Sequence, residues 1–310
     1  MVLCICPNPA IDKFIYTDNF GLGKVNRAHR EVSFPGGKGI HVALGLKELG
    51  EEVILLGFWG GTTGKWIKKE CEDMGIPCYG PELEQASRTC ITIRSNNGSN
   101  NTEILELGPL IGQMEYNLFW DTYIHLLQNA ESVCMSGSWP LNSMKANYGP
   151  FIKKAGAMDI KSFVDCSGWL LEKALKEKPY GIHVNQHEVQ GLFKSSDIEE
   201  NCLKLERSCT VAAITYGEKG LYLFKENRLI HSLSKVKAPL STVGCGDSLM
   251  AGWVAAHKRG YDLLDTAKLA ASAGAANCMR EELGMFHKKD VELFFRTCST
   301  QEWILKNKPY

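Results

Sequence analysis

Five short apolar runs constrain the architecture most: Val2 to Cys6, Val53 to Gly57, Ser132 to Met135, Ser162 to Val164 and Val211 to Thr215. None alternates polar with apolar residues, so each reads as a strand buried on both faces, as a parallel sheet covered by helices requires. Patterns of helical period lie between them, as in Gly39 to Leu49, Trp66 to Met74, Tyr116 to Asn129 and Leu170 to Lys176. Strand and helix in alternation point to an α/β chain whose mostly parallel sheet lies between two helical layers, with ligands at the carboxyl ends of the strands. Two stretches break the alternation. Lys13 to Phe34 and Thr89 to Leu107 are rich in β-branched and polar residues, with Asn96-Asn97-Gly98 as a hairpin turn signal. They read as a small sheet standing off the main body, made of two excursions because a strand–helix unit separates them.

With 310 residues the chain has room for one large α/β domain or two ordinary ones. Basic and acidic residues balance at 35 each, which argues against broad binding to nucleic acid or an anionic membrane while leaving room for a local basic pocket. No apolar run approaches the roughly 20 residues of a membrane-spanning helix. The twelve cysteines are scattered; Cys4 and Cys6 share a strand face, and Cys71, Cys78, Cys202 and Cys209 are spaced too widely for a CxxC metal site. No signal-like segment precedes the first strand, so the expectation is a soluble cytoplasmic protein with reduced, buried thiols. In that setting the sequons Asn97-Gly98-Ser99 and Asn100-Asn101-Thr102 read as turn residues.

Two glycine-rich segments run directly into helices. In Ser241-Thr242-Val243-Gly244-Cys245-Gly246-Asp247-Ser248, glycines let successive backbone N–H groups turn toward one point at a helix N-terminus, a concave set that binds phosphate or stabilises charge developing on it. Asp247 beside that pocket suits removal of a proton from an attacking alcohol, or else simply caps the helix. Pro35-Gly36-Gly37-Lys38-Gly39-Ile40-His41 allows close backbone approach to a ligand and supplies one cation. Neither is a Walker loop; Gly64-Lys65 is followed by Trp66 where a Ser or Thr would hold magnesium. No GxGxxG follows the first strand, which excludes the usual dinucleotide fingerprint. That strand ends in Cys6-Pro7-Asn8-Pro9-Ala10-Ile11-Asp12, where Asn8 and Asp12 either hold a polyol or cap the turn.

In order along the chain stand NPAID at 8–12, GGKGI at 36–40 followed by Val42-Ala43, Gly137-Ser138-Trp139-Pro140, Asp165-Cys166-Ser167-Gly168, Asn185 with Glu188, and the 241–248 segment. Together these motifs closely resemble the PfkB branch of the ribokinase-like carbohydrate kinases, and within it the group of 1-phosphofructokinases and tagatose-6-phosphate kinases. The resemblance runs from Cys6 to about Asn277. It implies a three-layer α/β/α fold with a small β lid, the main body being 1–12, 35–87 and 108–310 and the lid 13–34 and 88–107. It also implies ATP and magnesium, and a cytoplasmic enzyme that phosphorylates a sugar phosphate.

The resemblance assigns roles residue by residue. Asp247 matches the catalytic base, and Gly244, Cys245 and Gly246 match the anion hole. Asp12, Gly37, Lys38, His41 and Ser138 match positions on the sugar side of the site. Asn185 and Glu188 match the motif that organises magnesium and the nucleotide phosphates, with Glu188 acting on the ion indirectly. Thr215, Gly217 and Gly220 match the turn beside the nucleotide, and Asn277 lies in the segment flanking adenine. Arg88 matches an arginine that clamps the phosphate already on the substrate, and Lys24 and Arg27 belong to a lid strand that reaches the same phosphate.

Two residues depart from the pattern. His183 stands where the group has a phosphate-touching lysine, which calls for weaker nucleotide binding or another cation. His41 replaces an asparagine on the sugar side and either alters substrate choice or packs under the loop. The resulting expectation is transfer of the γ-phosphoryl group of ATP to fructose 1-phosphate or tagatose 6-phosphate, with fructose 6-phosphate next. The alternatives are a kinase of a non-phosphorylated sugar, polyol or glycoside, and an inactive sensor of sugar phosphates. Exposed lid edges invite pairing, so a homodimer joined through the lids is expected.

Overall fold

The strand Val2–Cys6 is buried at every position and lies inside the sheet that its composition demands. It pairs in parallel with Ser132–Ser136 on one side and Val53–Gly57 on the other. The molecule is seen in a computed structural model that describes residues 1–95, 101–140, 146–281 and 284–305. Among these residues the main sheet has ten strands, in the order Ser299–Ile304, Arg228–Leu233, Leu221–Lys225, Val211–Thr215, Gly181–Asn185, Lys161–Asp165, Ser132–Ser136, Val2–Cys6, Val53–Gly57 and Cys78–Tyr79. From Val211–Thr215 to Cys78–Tyr79 neighbours run parallel, and the last three strands at the other end are antiparallel.

Side chains alternate across the first strand, so Val2, Cys4 and Cys6 join one apolar core while Leu3 and Ile5 join the other. Helices Lys38–Glu48, Cys245–Lys258 and Leu263–Asn277 cover the first face. Helices Gln113–Leu127, Gly149–Gly156, Gly168–Lys176 and Ile198–Glu206 cover the second. The chain turns away from Val2–Cys6 in both directions, which opens a crevice at the carboxyl ends of that strand and Ser132–Ser136. Asn8 and the Gly137-Ser138 turn follow directly from those two ends.

A separate four-stranded sheet has the order Arg30–Gly36, Ala10–Thr17, Arg88–Ser95 and Thr102–Leu105. Its ladder starts deeper than the sequence reading places it, with Ala10 opposite Gly36 and Asp12 opposite Phe34. Asp12 therefore rides on the small sheet rather than on the end of the first strand. The turn signal at 96–98 lies outside the described residues. Glu281 ties the small sheet to the main body: Arg30 Nη2 is 3.2 Å from its carboxylate, the Tyr16 hydroxyl donates to it at 3.3 Å, and Arg94 donates to its carbonyl at 3.4 Å.

All twelve cysteines are unpaired, and eight are buried, so their frequency reflects small apolar core residues rather than cross-links. Among the described residues no helix is long and apolar enough to cross a membrane.

Candidate active site

The helix Cys245–Lys258 begins after Gly244, which sits in the left-handed region at φ 81, a conformation glycine adopts without the Cβ penalty. That turn aims the first free N–H groups of the helix into the crevice, where no carbonyl of the same helix can meet them. Ser248 N already donates to Gly244 O at 2.9 Å. Asp247 lies in this first turn and is 5% exposed. The loop is fixed from behind by Asn277, whose amide donates to Val243 O at 2.8 Å and whose Oδ1 accepts from the Ser248 hydroxyl at 3.2 Å. Asn277 is fully buried, so in this structure it props the glycine loop.

His41, one turn into the helix Lys38–Glu48, joins two acids from two other elements. Its Nδ1 is 2.8 Å from Asp247 Oδ2 and its Nε2 is 2.8 Å from Asp12 Oδ2. All three side chains are buried. Burial opposes a charge on the ring, yet the hydrogen bonds and charges of Asp12 and Asp247 outweigh it and push the imidazole up to about 10. Both ring nitrogens are thus engaged by carboxylates. Sequence reading placed Asp12 and Asp247 in one site and His41 beside them; that the ring connects the two acids has no signature in spacing, because the residues come from three elements.

A second cluster lies alongside. Lys38 Nζ is 2.8 Å from Asp165 Oδ1, and Asp165 Oδ2 is 3.0 Å from His183 Nδ1. The far nitrogen of His183 is 3.2 Å from the Thr215 hydroxyl. Asp165 is 1% exposed; burial raises its carboxyl, but the Lys38 ammonium and the His183 ring more than reverse this and hold it below the usual carboxylate range. Burial likewise presses Lys38 down, and Asp165, then Asp247, turn the balance so that its ammonium is held above the ordinary lysine range. His183 is buried beneath Gly246, whose added Cβ would stand 3.1 Å from its Cε1. Both ring nitrogens of His183 are thus engaged, one by Asp165 and one by Thr215. Asp165 received no role from sequence beyond its motif. The available signal was an acid at the carboxyl end of a strand buried on both faces.

Asn185 and Glu188 form a reciprocal cap on the helix Gln186–Phe193. Asn185 Oδ1 accepts from His187 N at 2.9 Å and Glu188 N at 3.0 Å, while Glu188 Oε2 accepts from Asn185 N at 2.8 Å. One carboxylate oxygen of Glu188 remains for other partners. No group of three or more metal-ligating side chains occurs among the described residues. Gly217 opens the 3-10 turn Gly217–Lys219, and Gly220 closes it at φ 93.

Arg88 begins a strand of the small sheet opposite Ala10. Its Nε donates to Asn8 O at 3.3 Å and Nη1 to Glu106 O at 3.4 Å. No carboxylate lies within ion-pair distance of it among the described residues. Asn8 Nδ2 donates to Leu107 O at 3.1 Å and to Ser138 Oγ at 3.4 Å, which brings the end of the small sheet, the first strand and the 137–138 turn together. Gly37, at φ 102, starts the helix that carries Lys38 and His41. Lys24 and Arg27 do not join this group. They lie on the exposed 18–29 connection rather than on a strand, at the far end of Ala10–Thr17, about 15 Å of extended chain beyond Asp12. Phe20 N bonds to Ser95 Oγ at that same far end.

The family model for the pfkB family of carbohydrate kinases matches residues 6–286. The 1-phosphofructokinase of Bacillus subtilis is 27% identical over 291 residues, covering 92% of this chain and 94% of that one. The tagatose-6-phosphate kinase of Staphylococcus epidermidis is 30% identical over 311 residues, covering 96% and 98%. Among solved structures, a possible 1-phosphofructokinase of Thermotoga maritima superposes with a TM-score of 0.85 at 25% identity, covering 98% and 99%.

Proposed function

Because the chain belongs to the pfkB family of carbohydrate kinases, we propose that it transfers the γ-phosphoryl group of ATP to a hydroxyl of a ketohexose phosphate. Fructose 1-phosphate and tagatose 6-phosphate are the preferred acceptors, with fructose 6-phosphate next. The observation that carries this reading is the position of Asp247 in the first turn of a helix opened by a left-handed glycine, tied through His41 to Asp12. An acid and an unmated set of amides then share one crevice.

In this proposal Asp12 holds the sugar, and the acceptor hydroxyl gives its proton to Asp247. The hydroxyl oxygen bonds to the γ-phosphorus, and ADP leaves with the electron pair of the broken bond. The Gly244, Cys245 and Gly246 amides and the Lys38 ammonium meet charge that builds on the transferring group. Lys38 takes the place of the cation missing at His183, since it carries its charge at a half-open position, with a side chain 45% exposed. Magnesium, when bound, screens the nucleotide phosphates; Glu188 and Asn185 are the residues nearest to that task. Glu188 would help hold such an ion, which would neutralise charge on the nucleotide phosphates.

Two features support a phosphorylated acceptor. Arg88 carries a planar fork of donors with no acid to neutralise it, which suits paired bonds to a phosphate. The relatives from B. subtilis and S. epidermidis are named for sugar-phosphate acceptors. The small sheet, 13–34 with 88–107, serves as the lid over this acceptor. Its edge strand Thr102–Leu105 exposes Ile104 and Leu105 by 52% and 58%, an edge that suits pairing with a second copy; light scattering that returns a monomer at all micromolar concentrations would remove this dimer.

The test is ATP consumption by the intact protein against fructose 1-phosphate, tagatose 6-phosphate, fructose 6-phosphate, fructose and tagatose, for wild type and Arg88→Ala. Turnover is expected with the phosphorylated acceptors, whose KM rises about 10–100-fold in the variant while the KM for ATP stays put. Preference for the free sugars with no effect of Arg88→Ala overturns the phosphate clamp. No ATP consumption with any acceptor leaves a sensor instead of a kinase.

A further inference from the structure

A neutral imidazole has one N–H and one acceptor nitrogen, and a carboxylate only accepts. His41 has a carboxylate oxygen at 2.8 Å from each ring nitrogen, so two hydrogen bonds there require two ring protons. The arrangement is built rather than incidental. Gly36 leaves room for the Asp12 carboxylate, since an added Cβ would fall 2.1 Å from its Oδ2. Gly284, at φ 63, closes over the ring, its Cβ position lying 2.2 Å from His41 Cβ. Each acid commits Oδ2 to the ring, and among the described residues Oδ1 of neither shows a hydrogen-bond partner.

We propose that His41, shared as an imidazolium by both acids, is a positioning residue that sets the Asp247 carboxylate by tying it to the acid that holds the sugar. This rests on the reading of Asp247 as the base. Movement of either carboxylate drags the other through a rigid ring, so displacement of Asp12 misaligns the proton acceptor. A residue with a single donor direction cannot do this.

The groups that face the ring decide its charge. Asp12 comes from the strand Ala10–Thr17 and Asp247 from the helix Cys245–Lys258. Lys38, one turn before His41 on the helix Lys38–Glu48, is paired to Asp165. Cys6, beneath the start of that helix, is pushed up to about 11 by burial and stays neutral. The segment around Gly284 carries Arg280, in contact with His287, and Glu281, engaged by Arg30 and Tyr16. Among the described residues only the two acids touch the ring nitrogens, and both favour its charged form.

The test has two arms on the intact protein. Nitrogen-15 NMR with ring-labelled histidine at pH 8, where an ordinary histidine is neutral, is expected to show one ring protonated at both nitrogens. That signal disappears in His41→Asn and loses its second proton in Asp12→Asn. In the kinetic arm, His41→Asn keeps an amide near Asp247 and His41→Gln keeps one near Asp12. Each is expected to lower kcat about 10–100-fold with the KM for ATP within about twofold. A neutral ring in the wild type, or either variant within about threefold of wild-type kcat, overturns the proposal. A wild type that phosphorylates no sugar phosphate yet keeps the doubly protonated ring overturns the kinase reading instead and leaves the bridge standing.

Discussion

Two buried histidines border the same crevice, and their neighbours give them opposite work. His183 lies between Asp165 and the Thr215 hydroxyl; the hydroxyl can donate, so one ring proton satisfies both contacts. His41 lies between Asp247 and Asp12; neither can donate, so the ring must carry two. Both are about 5% exposed, which makes burial an unreliable guide to their charge. The second partner decides it. One cluster therefore holds a ring that organises an acid and its lysine, and the other, in our proposal, a cation that binds two acids together.

The sharpest way to break the comparison is to remove the acid each ring serves. Asp247→Asn takes away the proposed base and is expected to lower kcat by about 10²–10⁴-fold with binding of both substrates kept, read by steady-state kinetics. A variant that turns over normally sinks both the base and the bridge. Asp165→Asn acts on stability more than on chemistry: it leaves the Lys38 ammonium without its carboxylate and should cost about 2–4 kcal/mol in chemical denaturation, lessened because Lys38 is half-exposed.

The pH dependence of folding reports on the His41 ring directly. His41 is pushed up from its ordinary 6.5 to about 10, so the native state keeps a proton that the unfolded chain gives up. The stability this brings is fully present below about pH 6.5 and is lost as pH rises toward 10, on the order of 3–5 kcal/mol over that span. Denaturation midpoints of wild type should fall over this range more steeply than those of His41→Asn. The smallest effect is expected from His183→Lys. The new ammonium lands under Gly246 and competes with Lys38 for Asp165, so the KM for ATP should change by less than about fivefold. A fall beyond tenfold would mean that position 183 reaches the phosphates after all.

Most of the frame was legible because burial on both faces leaves a mark on composition. Val2 to Cys6 reads as an interior parallel strand and is so, while Val211 to Thr215 reads the same way but runs parallel to Gly181–Asn185 and antiparallel to Leu221–Lys225. The small sheet was legible from its β-branched excursions, although its ladder runs on to Ala10 and Gly36 because backbone pairing continues past the change in composition. The glycine loop before Asp247 was legible too, since the need for a left-handed turn and for a helix start are local demands. That Lys24 and Arg27 lie on an exposed connection rather than on a strand was not legible, because the hairpin's turn carries no strong local signal.

Local chemistry, written along the chain, determined the strands, the two glycine-led helices and the identity of the acids. Only the tertiary structure decided what those acids meet, because Asp12, His41 and Asp247 are contributed by a small-sheet strand and two helices that pack together. A hydrogen-bond partner more than two hundred residues away is fixed by how the layers dock, and docking is set by summed apolar burial that no short motif records. Asn277 makes the same point. Its amide suits a ligand or a prop equally, and the packing of its helix behind the loop turned it inward.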